Sequence, residues 1–234
     1  MDYQEVINAL HQLANQEKVA FKKRKFGIAA DHSLGIYQKD LKDLAKQIGT
    51  DSALASQLFD SGIYEARILA SKIFNPKELT NELLEKWVVT FENWEICDSF
   101  CMGLFAKSGF AISKILEWSE RENEFEKRAA FAIMAAYCMA DKKAANSVFE
   151  NFFPIIYREA NDDRLYVRKA VNWALRNIGK RNVDLHEKAL EMASQLVKMD
   201  TKCAKWIGSD AIGQLTKQKV NILDYPRAIY RVMH

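Results

Sequence analysis

The chain has 234 residues, a formal net charge of +3, 49% hydrophobic residues and 28% charged residues. These values are ordinary for a folded globular protein and exclude a disordered one. No apolar run approaches the roughly 18 residues that cross a bilayer, and the N-terminus lacks the pattern of a secretory signal. We therefore expect a soluble, cytoplasmic protein.

Glycine and proline are scarce, with nine and three residues respectively. A β-rich protein needs many turns, so this scarcity favours helices joined by short connections. No linker rich in glycine, serine or proline divides the chain. The sequence therefore predicts an all-α protein, more than roughly 60% helical, that forms a single domain over residues 1–234.

Helical periodicity begins at the N-terminus. Apolar residues at three- and four-residue spacing predict an amphipathic helix around Leu10 and another around Leu44. The second helix is expected to end near Gly49, with Asp51 at the start of the next one. Further along, Pro154 is predicted to kink or end the helix before it.

The four cysteines do not form the framework expected of a disulfide-rich protein, because the chain is long. No additional ligand stands at a spacing that indicates a metal site. We expect buried thiols, no metal and no cofactor. The cysteines are Cys97, Cys101, Cys138 and Cys203.

A weak repeat recurs along the chain. An aromatic residue followed three positions later by a basic one begins the segments at Tyr64, Phe125 and Tyr166, and Trp94 falls in the same series. Successive segments start 30, 31 and 41 residues apart. This period is typical of HEAT-type solenoids, whose helix pairs bury their apolar faces against neighbouring pairs. We predict a helical-repeat solenoid with a long concave surface.

Five segments, in a defined order and spacing, carry a resemblance to a known family. They are Leu34-Gly35-Ile36, Tyr64-Glu65-Ala66-Arg67, Asn93-Trp94-Glu95-Ile96-Cys97-Asp98-Ser99, Lys127-Arg128-Ala129-Ala130, and the run from Arg168 to Arg176. Together they resemble the AlkD-like DNA alkylation repair family of HEAT-like repeat alkylpurine DNA glycosylases. The resemblance runs through most of the chain. One departure is Asn93, where some members carry a second tryptophan.

The resemblance implies a site and an activity. In active members, a tryptophan, an aspartate four residues later, an arginine and a second tryptophan converge in the DNA-binding cleft. The matching positions are Trp94, Asp98, Arg128 and Trp173. The implied activity is hydrolysis of the bond that joins a cationic N3- or N7-alkylated purine to its deoxyribose. The implied partner is double-stranded DNA that contains alkylated bases, and we expect a monomer.

Asp98 has the chemistry that this reaction needs. An alkylated purine leaves as a neutral molecule, so the enzyme has to stabilise the positive charge that develops on the sugar. Asp98 lies in an apolar run, where an unpaired carboxylate is costly and a functional role is favoured. Trp94 lies one helical turn earlier on the same face, and its ring would attract a cationic lesion.

A basic segment is the second candidate feature. Residues 164–181 contain six basic residues and no acidic one. Such a face predicts phosphate contacts, which give sequence-independent affinity for DNA. A solvated helix exterior explains the same pattern. The predicted contacts are Arg164, Arg168, Lys169, Arg176 and Lys180.

Structural alternatives stay open for several of these residues. Trp94 and Trp173 can be packing residues, since tryptophan is usually well buried. Arg128 occupies the repeat position of Arg67 and Lys169, which equally favours a structural or general phosphate-binding role. Two alternatives also stay open for the whole chain. One is a DNA-binding relative that recognises distorted or branched DNA without excision, and the other is a protein–protein scaffold.

Overall fold

The computed structural model describes residues 1–217 and 219–226 of the chain. Helices account for 69% of the described residues, which contain no β-strand. The prediction of a mostly helical, all-α protein is therefore confirmed. The chain divides into two compact units, which we call unit one (residues 1–109) and unit two (residues 110–234). The single domain over residues 1–234 stays a prediction.

Unit one is built around a central helix. Its helices are α1 (Tyr3–Gln12), α2 (Gln16–Phe26), α3 (Gln38–Ile48), α4 (Ser52–Asp60), α5 (Tyr64–Ile73), α6 (Asn81–Val88) and α7 (Trp94–Gly103). Short 3₁₀ helices, Pro76–Glu78 and Phe105–Lys107, follow α5 and α7. Helix α5 packs against α3, α4 and α7. Most of its side chains are buried, as expected of a helix surrounded by others.

Local sequence signals set the first helix boundaries. Gly49 follows α3 with a φ of 80°, a conformation that is costly for a residue with a Cβ atom. The Asp51 carboxylate accepts a hydrogen bond from the Leu54 backbone N–H at 2.9 Å and caps α4. Leu10 in α1 and Leu44 in α3 are buried. The helices predicted from periodicity at this end of the chain are confirmed.

An aromatic cluster fills the core of unit one. Trp87 is fully buried, and its ring centroid lies 5.1 Å from Phe59, 5.2 Å from Phe74 and 5.3 Å from Phe100. Aromatic pairs at these distances stabilise a core by roughly 0.5–1.5 kcal/mol beyond the burial of their area. Phe100 belongs to α7. The cluster therefore fixes one side of the helix that carries Trp94 and Asp98.

Unit two is also helical throughout its described elements. Its helices are α8 (Ala111–Trp118), α9 (Glu124–Ala140), α10 (Asn146–Glu150), α11 (Phe153–Glu159), α12 (Leu165–Ile178), α13 (Val183–Lys198) and α14 (Lys202–Leu215). Helix α12 packs against α9 and α14, and α13 packs against α14. The buried faces of α9 and α12 thus form the centre of this unit.

Pro154 marks a helix boundary, as predicted. Helix α10 ends at Glu150, before the proline, and Pro154 falls in the first turn of α11. The missing N–H of proline costs nothing at that position, and its fixed φ already suits a helix. The residue therefore begins the next helix rather than kinking the previous one.

The repeat found in the sequence marks helix starts. Helix α5 begins at Tyr64 and α7 at Trp94, while Phe125 and Tyr166 are the second residues of α9 and α12. In unit one α5 packs against α7, and in unit two α9 packs against α12. The recurring aromatic residue therefore identifies, within each unit, two helices that pack against each other although other helices separate them in the chain.

Candidate functional site

Asn93 determines where α7 begins. Its side-chain oxygen accepts hydrogen bonds from the backbone N–H groups of Glu95 at 2.9 Å and Ile96 at 3.2 Å. The same oxygen accepts a hydrogen bond from the Tyr64 hydroxyl at 2.9 Å. Asn93 is buried and acts as the N-cap of the helix. Asn93, which stands where some members of that family carry a second tryptophan, therefore has a structural role. It links α7 to α5.

A buried ion pair fixes α7 against three other helices. The Lys22 ammonium of α2 donates to the two Glu95 oxygens at 3.0 and 3.2 Å, and the two side chains are only 6% and 8% exposed. Glu95 also accepts hydrogen bonds from the Tyr64 hydroxyl and from the Gln38 amide. Burial, followed by the nearby Glu95 charge, raises the pKa of Tyr64, so this phenol stays a neutral donor. Three donors therefore satisfy a carboxylate that would be costly to bury alone.

The start of α7 borders an open pocket of about 430 Å³ in unit one. Side chains from α3, α5 and α7 line it, and they present a mainly apolar surface that contains several charged groups. The lining residues are Gln38, Lys42, Lys72, Trp94, Glu95, Asp98, Ser99, Met102 and Gly103. The structure thus places Trp94 and Asp98 in one pocket, one helical turn apart. Both side chains are half-buried.

A hydrogen bond and a ring contact, both with Phe26, hold Trp94 in the wall of the pocket. The indole N–H donates a hydrogen bond to the Phe26 carbonyl at 3.1 Å, and the two rings meet edge to face with centroids 6.3 Å apart. Tryptophan usually needs such a partner for its N–H when it is buried. Because Trp94 is only half-buried, part of its side chain is accessible from the pocket.

Lys72 is a pocket residue that the sequence analysis missed. It lies in α5 between the buried residues Ser71 and Ile73, and its side chain is half-buried. The pKa of Lys72 is lowered to about 8, mainly by burial; the positive charges of Lys42 and Lys107 add to this effect, and the negative charge of Glu95 opposes it. A charged residue inside an apolar helical run was the signal that identified Asp98, and it would also have identified Lys72.

Arg128 and Trp173 lie in unit two. Arg128 is 6% exposed, and its guanidinium donates a hydrogen bond to the Tyr166 carbonyl at 2.7 Å. This bond fixes α9 to the first turn of α12. Trp173 is half-buried on α12. This hydrogen bond therefore supports the structural role that the repeat pattern allowed for Arg128.

The basic segment on α12 contains less free charge than its sequence indicates. Arg164 precedes the helix and pairs with Asp162 at 2.5 Å, and it also donates to the Glu122 carbonyl. Burial raises the pKa of Asp162, but hydrogen bonds from Arg164 outweigh that effect and lower it. The Arg176 guanidinium lies 3.9 Å from Asp210. Acidic residues from outside the segment thus offset part of its charge, which the segment's own composition does not reveal.

The remaining residues of the segment differ in accessibility. The Arg168 guanidinium lies over the Trp206 ring, 5.2 Å from its centroid, a stabilising cation–π geometry. Lys169 is exposed and Lys180 is half-buried. Asn172, which is 2% exposed and donates to the Ile207 carbonyl at 3.1 Å, does not belong to the exposed face. The most accessible cation among the predicted phosphate contacts is therefore Lys169.

The candidate residues thus fall into two groups. Trp94 and Asp98 share the pocket of unit one, whereas Arg128, Trp173 and the basic segment belong to unit two. The convergence of both groups on one groove stays a prediction.

Within residues 1–217 and 219–226, no helix is long and apolar enough to cross a membrane. The same residues contain no group of three or more histidine, cysteine or acidic side chains arranged to hold a metal ion. All four cysteines are buried, as predicted for them.

The packed helices define a HEAT-like repeat protein. A solved structure described as "a new family of proteins related to the HEAT-like repeat DNA glycosylases with affinity for branched DNA structures" superposes with a TM-score of 0.74. The match covers 97% of this chain and 100% of that chain at 21% sequence identity. At this identity the likeness shows a common fold, and it confirms the predicted all-α HEAT-like architecture.

The family follows from the sequence itself. Residues 6–213 match the model of a family described as DNA alkylation repair enzyme, and the chain belongs to that family. An uncharacterized protein of Listeria innocua is 26% identical over 179 residues, which are 74% of this chain and 78% of that protein. An uncharacterized protein of Listeria monocytogenes is 25% identical over 173 residues, 71% of this chain and 75% of that protein. The predicted family resemblance is confirmed.

Proposed function

We propose that this protein is a monofunctional DNA glycosylase that hydrolyses the N-glycosidic bond of cationic N3- or N7-alkylated purines. The observation that carries the proposal is the pocket of unit one, which the Trp94 ring and the Asp98 carboxylate line together. Membership of the DNA alkylation repair enzyme family supports it. Double-stranded DNA with alkylated bases is the proposed partner, and we propose that the protein acts as a cytoplasmic monomer.

Asp98 is the proposed catalytic residue. When the bond between C1′ and the purine nitrogen breaks, its electron pair neutralises the base, and positive charge develops at C1′ and the ring oxygen of the sugar. A carboxylate beside that sugar lowers the energy of the transition state. Water then adds its oxygen to C1′ and loses a proton. The departing base requires no general acid, because it is already neutral when it leaves.

Trp94 is proposed to contact the lesion. Its indole N–H is bonded to the Phe26 carbonyl, so the orientation of the ring is set before DNA arrives. A cation over a tryptophan ring is stabilised by about 0.5–2 kcal/mol, and a neutral base gains less. The pocket therefore has a physical means of preferring charged alkylated purines over undamaged ones.

Unit two is proposed to bind the DNA backbone. Its proposed phosphate contacts are the basic residues Arg164, Arg168, Lys169, Arg176 and Lys180. Arg128 and Trp173, in the same unit, keep the catalytic role that the family resemblance implies for them. Lys169 is fully available for a phosphate because it is exposed. Arg128 is buried and bonded to Tyr166, so its guanidinium is held in a fixed orientation. Phosphate contacts of this kind give affinity that decreases with salt concentration.

A DNA-binding protein without excision activity is the second candidate function. The structure with the same fold belongs to proteins described as having affinity for branched DNA. On this alternative, the pocket would contact distorted DNA without breaking a bond. The two candidate functions differ in whether a free base is released from the DNA, and this release can be measured directly.

The test is base release from a duplex that contains one N7-methylguanine, under single-turnover conditions. The proposal predicts time-dependent release of the methylated base and no release of guanine from an otherwise identical undamaged duplex. Binding to a four-way junction is measured in parallel. Tight junction binding without base release would favour the second candidate and reject the first.

A further inference from the structure

Helix α2 ends in a run of cations that have no acidic partner. Lys23, Arg24 and Lys25 are exposed and belong to the last turn of the helix. Among residues 1–217 and 219–226, no carboxylate lies within ion-pair distance of any of these three side chains. The basic segment of unit two differs, because two of its arginines already have acidic neighbours. The last turn of α2 is therefore a cationic surface that is free to bind an anion.

Two phenylalanine rings lie among these cations. Phe21 and Phe26 meet edge to face, with ring centroids 5.8 Å apart. The Lys25 ammonium lies 5.2 Å from the Phe21 centroid and 5.6 Å from the Phe26 centroid. Phe26 is 42% exposed. An exposed ring beside free cations is the combination that binds unpaired nucleic acid, because bases stack on the ring while phosphates contact the cations.

The row of aromatic rings continues into the pocket of unit one. The Phe26 ring meets the Trp94 ring edge to face, with centroids 6.3 Å apart, and the Phe26 carbonyl accepts a hydrogen bond from the indole N–H. Trp94 lines the pocket together with Asp98. The cationic end of α2 is therefore next to the site at which the proposed function places the lesion.

We propose that the end of α2 is a second DNA-binding surface, which holds an unpaired nucleotide next to the duplex bound at the pocket. The unpaired base stacks on the Phe26 ring, and the neighbouring phosphates contact Lys23, Arg24 and Lys25. The proposal deepens the proposed function and rests on it, because the duplex bound at the pocket is what brings an unpaired nucleotide to α2. The ligand is DNA in which a nucleotide within or beside the duplex has no pairing partner.

The exposed ring is what favours an unpaired nucleotide over a paired one. In a duplex, neighbouring bases cover the faces of each base, so a duplex offers phosphates to the cations but no base face to Phe26. An unpaired base has a free face, and its stacking on an aromatic side chain strengthens binding by about tenfold or more. Cations alone would bind both forms of DNA, so the ring discriminates between them.

Equilibrium binding to two DNA probes tests the proposal. Both probes carry the same undamaged duplex, interrupted in one by a single unpaired thymidine and in the other by an abasic spacer at that place. The two probes share their phosphates and their interrupted duplex, so they differ only in the unpaired base. We expect the intact protein to bind the thymidine probe about tenfold more tightly than the abasic probe.

Phe26→Leu should abolish this tenfold difference. The substitution keeps an apolar side chain and the backbone carbonyl that Trp94 uses, and it removes the aromatic face. Loss of the ring and loss of the base should therefore not be additive, as expected of two groups in contact. Tyr157→Leu is the matched control, because Tyr157 is 44% exposed on α11, and this variant should keep the tenfold difference.

A Phe26 ring that only supports Trp94 would give a different result. In that case Phe26→Leu would weaken binding to both probes by the same factor, and the tenfold difference between them would remain. That outcome would overturn the proposal, as would equal binding of the two probes by the intact protein.

The cations are tested by the salt dependence of binding to the thymidine probe. Lys25→Gln removes one proposed phosphate contact and should reduce the slope of log affinity against log salt by about 0.7–0.9. Lys46→Gln is the control and should keep the wild-type slope, because Lys46 is already paired with Asp43 at 2.9 Å. An unchanged slope for Lys25→Gln would overturn the proposed phosphate contact.

Photocrosslinking decides the question if Phe26→Leu does not fold. The intact protein is irradiated with a probe in which 5-iodouracil replaces the unpaired thymine, and the adduct is located by peptide mass spectrometry. We expect the adduct on Phe26. An adduct that maps only to residues outside α2 would overturn the proposal.

The probes contain no alkylated base, so this test is independent of excision. Release of N7-methylguanine from damaged duplex, together with equal binding of the two probes, would overturn the α2 proposal and leave the proposed glycosylase activity intact. A preference for the unpaired thymidine that depends on Phe26, without base release, would support the α2 surface and reject the glycosylase.

Discussion

Lys72 is a side chain that lowers the stability of the folded protein at neutral pH, because a charged amine is partly buried in the pocket of unit one. Its ammonium is half-buried, and Lys42 and Lys107 add unfavourable charge. Since burial lowers the folded-state pKa to about 8 from an ordinary value of 10.5, the charged form is disfavoured in the folded protein. The resulting loss of stability is complete below pH 8, shrinks as the pH rises between the two values, and disappears above the unfolded-state pKa.

This pH dependence of stability leads to a prediction for the Lys72→Met variant. The substitution keeps most of the side-chain volume and removes the charge, so it should raise the melting temperature at pH 7 by a few degrees. The gain should become smaller as the pH approaches 10. Thermal unfolding of both proteins across this pH range is the measurement. A gain that does not depend on pH would show that Lys72 is not perturbed.

Some residue roles were predictable from the sequence and others were not. Trp94 and Asp98 stand four positions apart, so helical geometry alone places them together. Lys22 and Glu95 are separated by 73 positions, and only the folded chain reveals their ion pair. Asn172 stands four positions from both Arg168 and Arg176, but it is buried, and its amide donates a hydrogen bond to the Ile207 carbonyl of α14.

At the scale of elements, the buried ion pair is what positions α7. Lys22 lies on α2 and Glu95 in the first turn of α7, where a negative charge is also favoured by the helix dipole. Tyr64 and Gln38 add donors from α5 and α3. Trp94 immediately precedes Glu95, so the network that holds Glu95 also sets the start of the helix that carries the candidate site.

Lys22→Met should therefore be strongly destabilising. It leaves the buried Glu95 carboxylate without its cation, a change that costs about 3–5 kcal/mol in other proteins. The double variant Lys22→Met/Glu95→Gln removes both charges and should recover much of the lost free energy of unfolding. Chemical denaturation measures both values. If the single variant loses less than about 1 kcal/mol, the pair does not hold α7.

The basic segment of residues 164–181, which includes α12, combines cations that are already paired with an exposed cation. Arg164 and Arg176 have acidic partners in Asp162 and Asp210, whereas Lys169 is exposed. Paired cations have to give up a partner before they bind a phosphate. The exposed lysine should therefore contribute to DNA affinity with the smallest rearrangement.

Lys169→Ala is predicted to weaken binding to undamaged duplex DNA and to flatten its salt dependence. One lost phosphate contact should reduce the slope of log affinity against log salt by about 0.9. Lys188→Ala is the matched control, because Lys188 lies on α13 and pairs with Glu150 at 2.7 Å. Equal slopes for wild type and Lys169→Ala would mean that this face of the helix contacts solvent and not DNA phosphates.

At the scale of the whole molecule, the sequence determined more of the fold than of the site. Scarce glycine and proline, helical periodicity and the aromatic repeat predicted the helices, and the starts of α5 and α7 match that repeat residue for residue. The pocket was not predictable in the same way. It combines side chains from α3, α5 and α7, and contacts between distant helices leave no local pattern in a single sequence.

Asp98 carries the central claim, since the glycosylase proposal depends on a carboxylate beside the developing sugar cation. Asp98→Asn keeps the size of the side chain and its ability to form hydrogen bonds, and it removes the charge. The decisive measurement is single-turnover release of N7-methylguanine by both proteins, with DNA affinity and melting temperature recorded alongside. We predict a loss of excision of about 100-fold or more, with little change in binding or melting temperature. Near-normal excision by a well-folded Asp98→Asn protein, or no excision by the wild type, would contradict the proposed function.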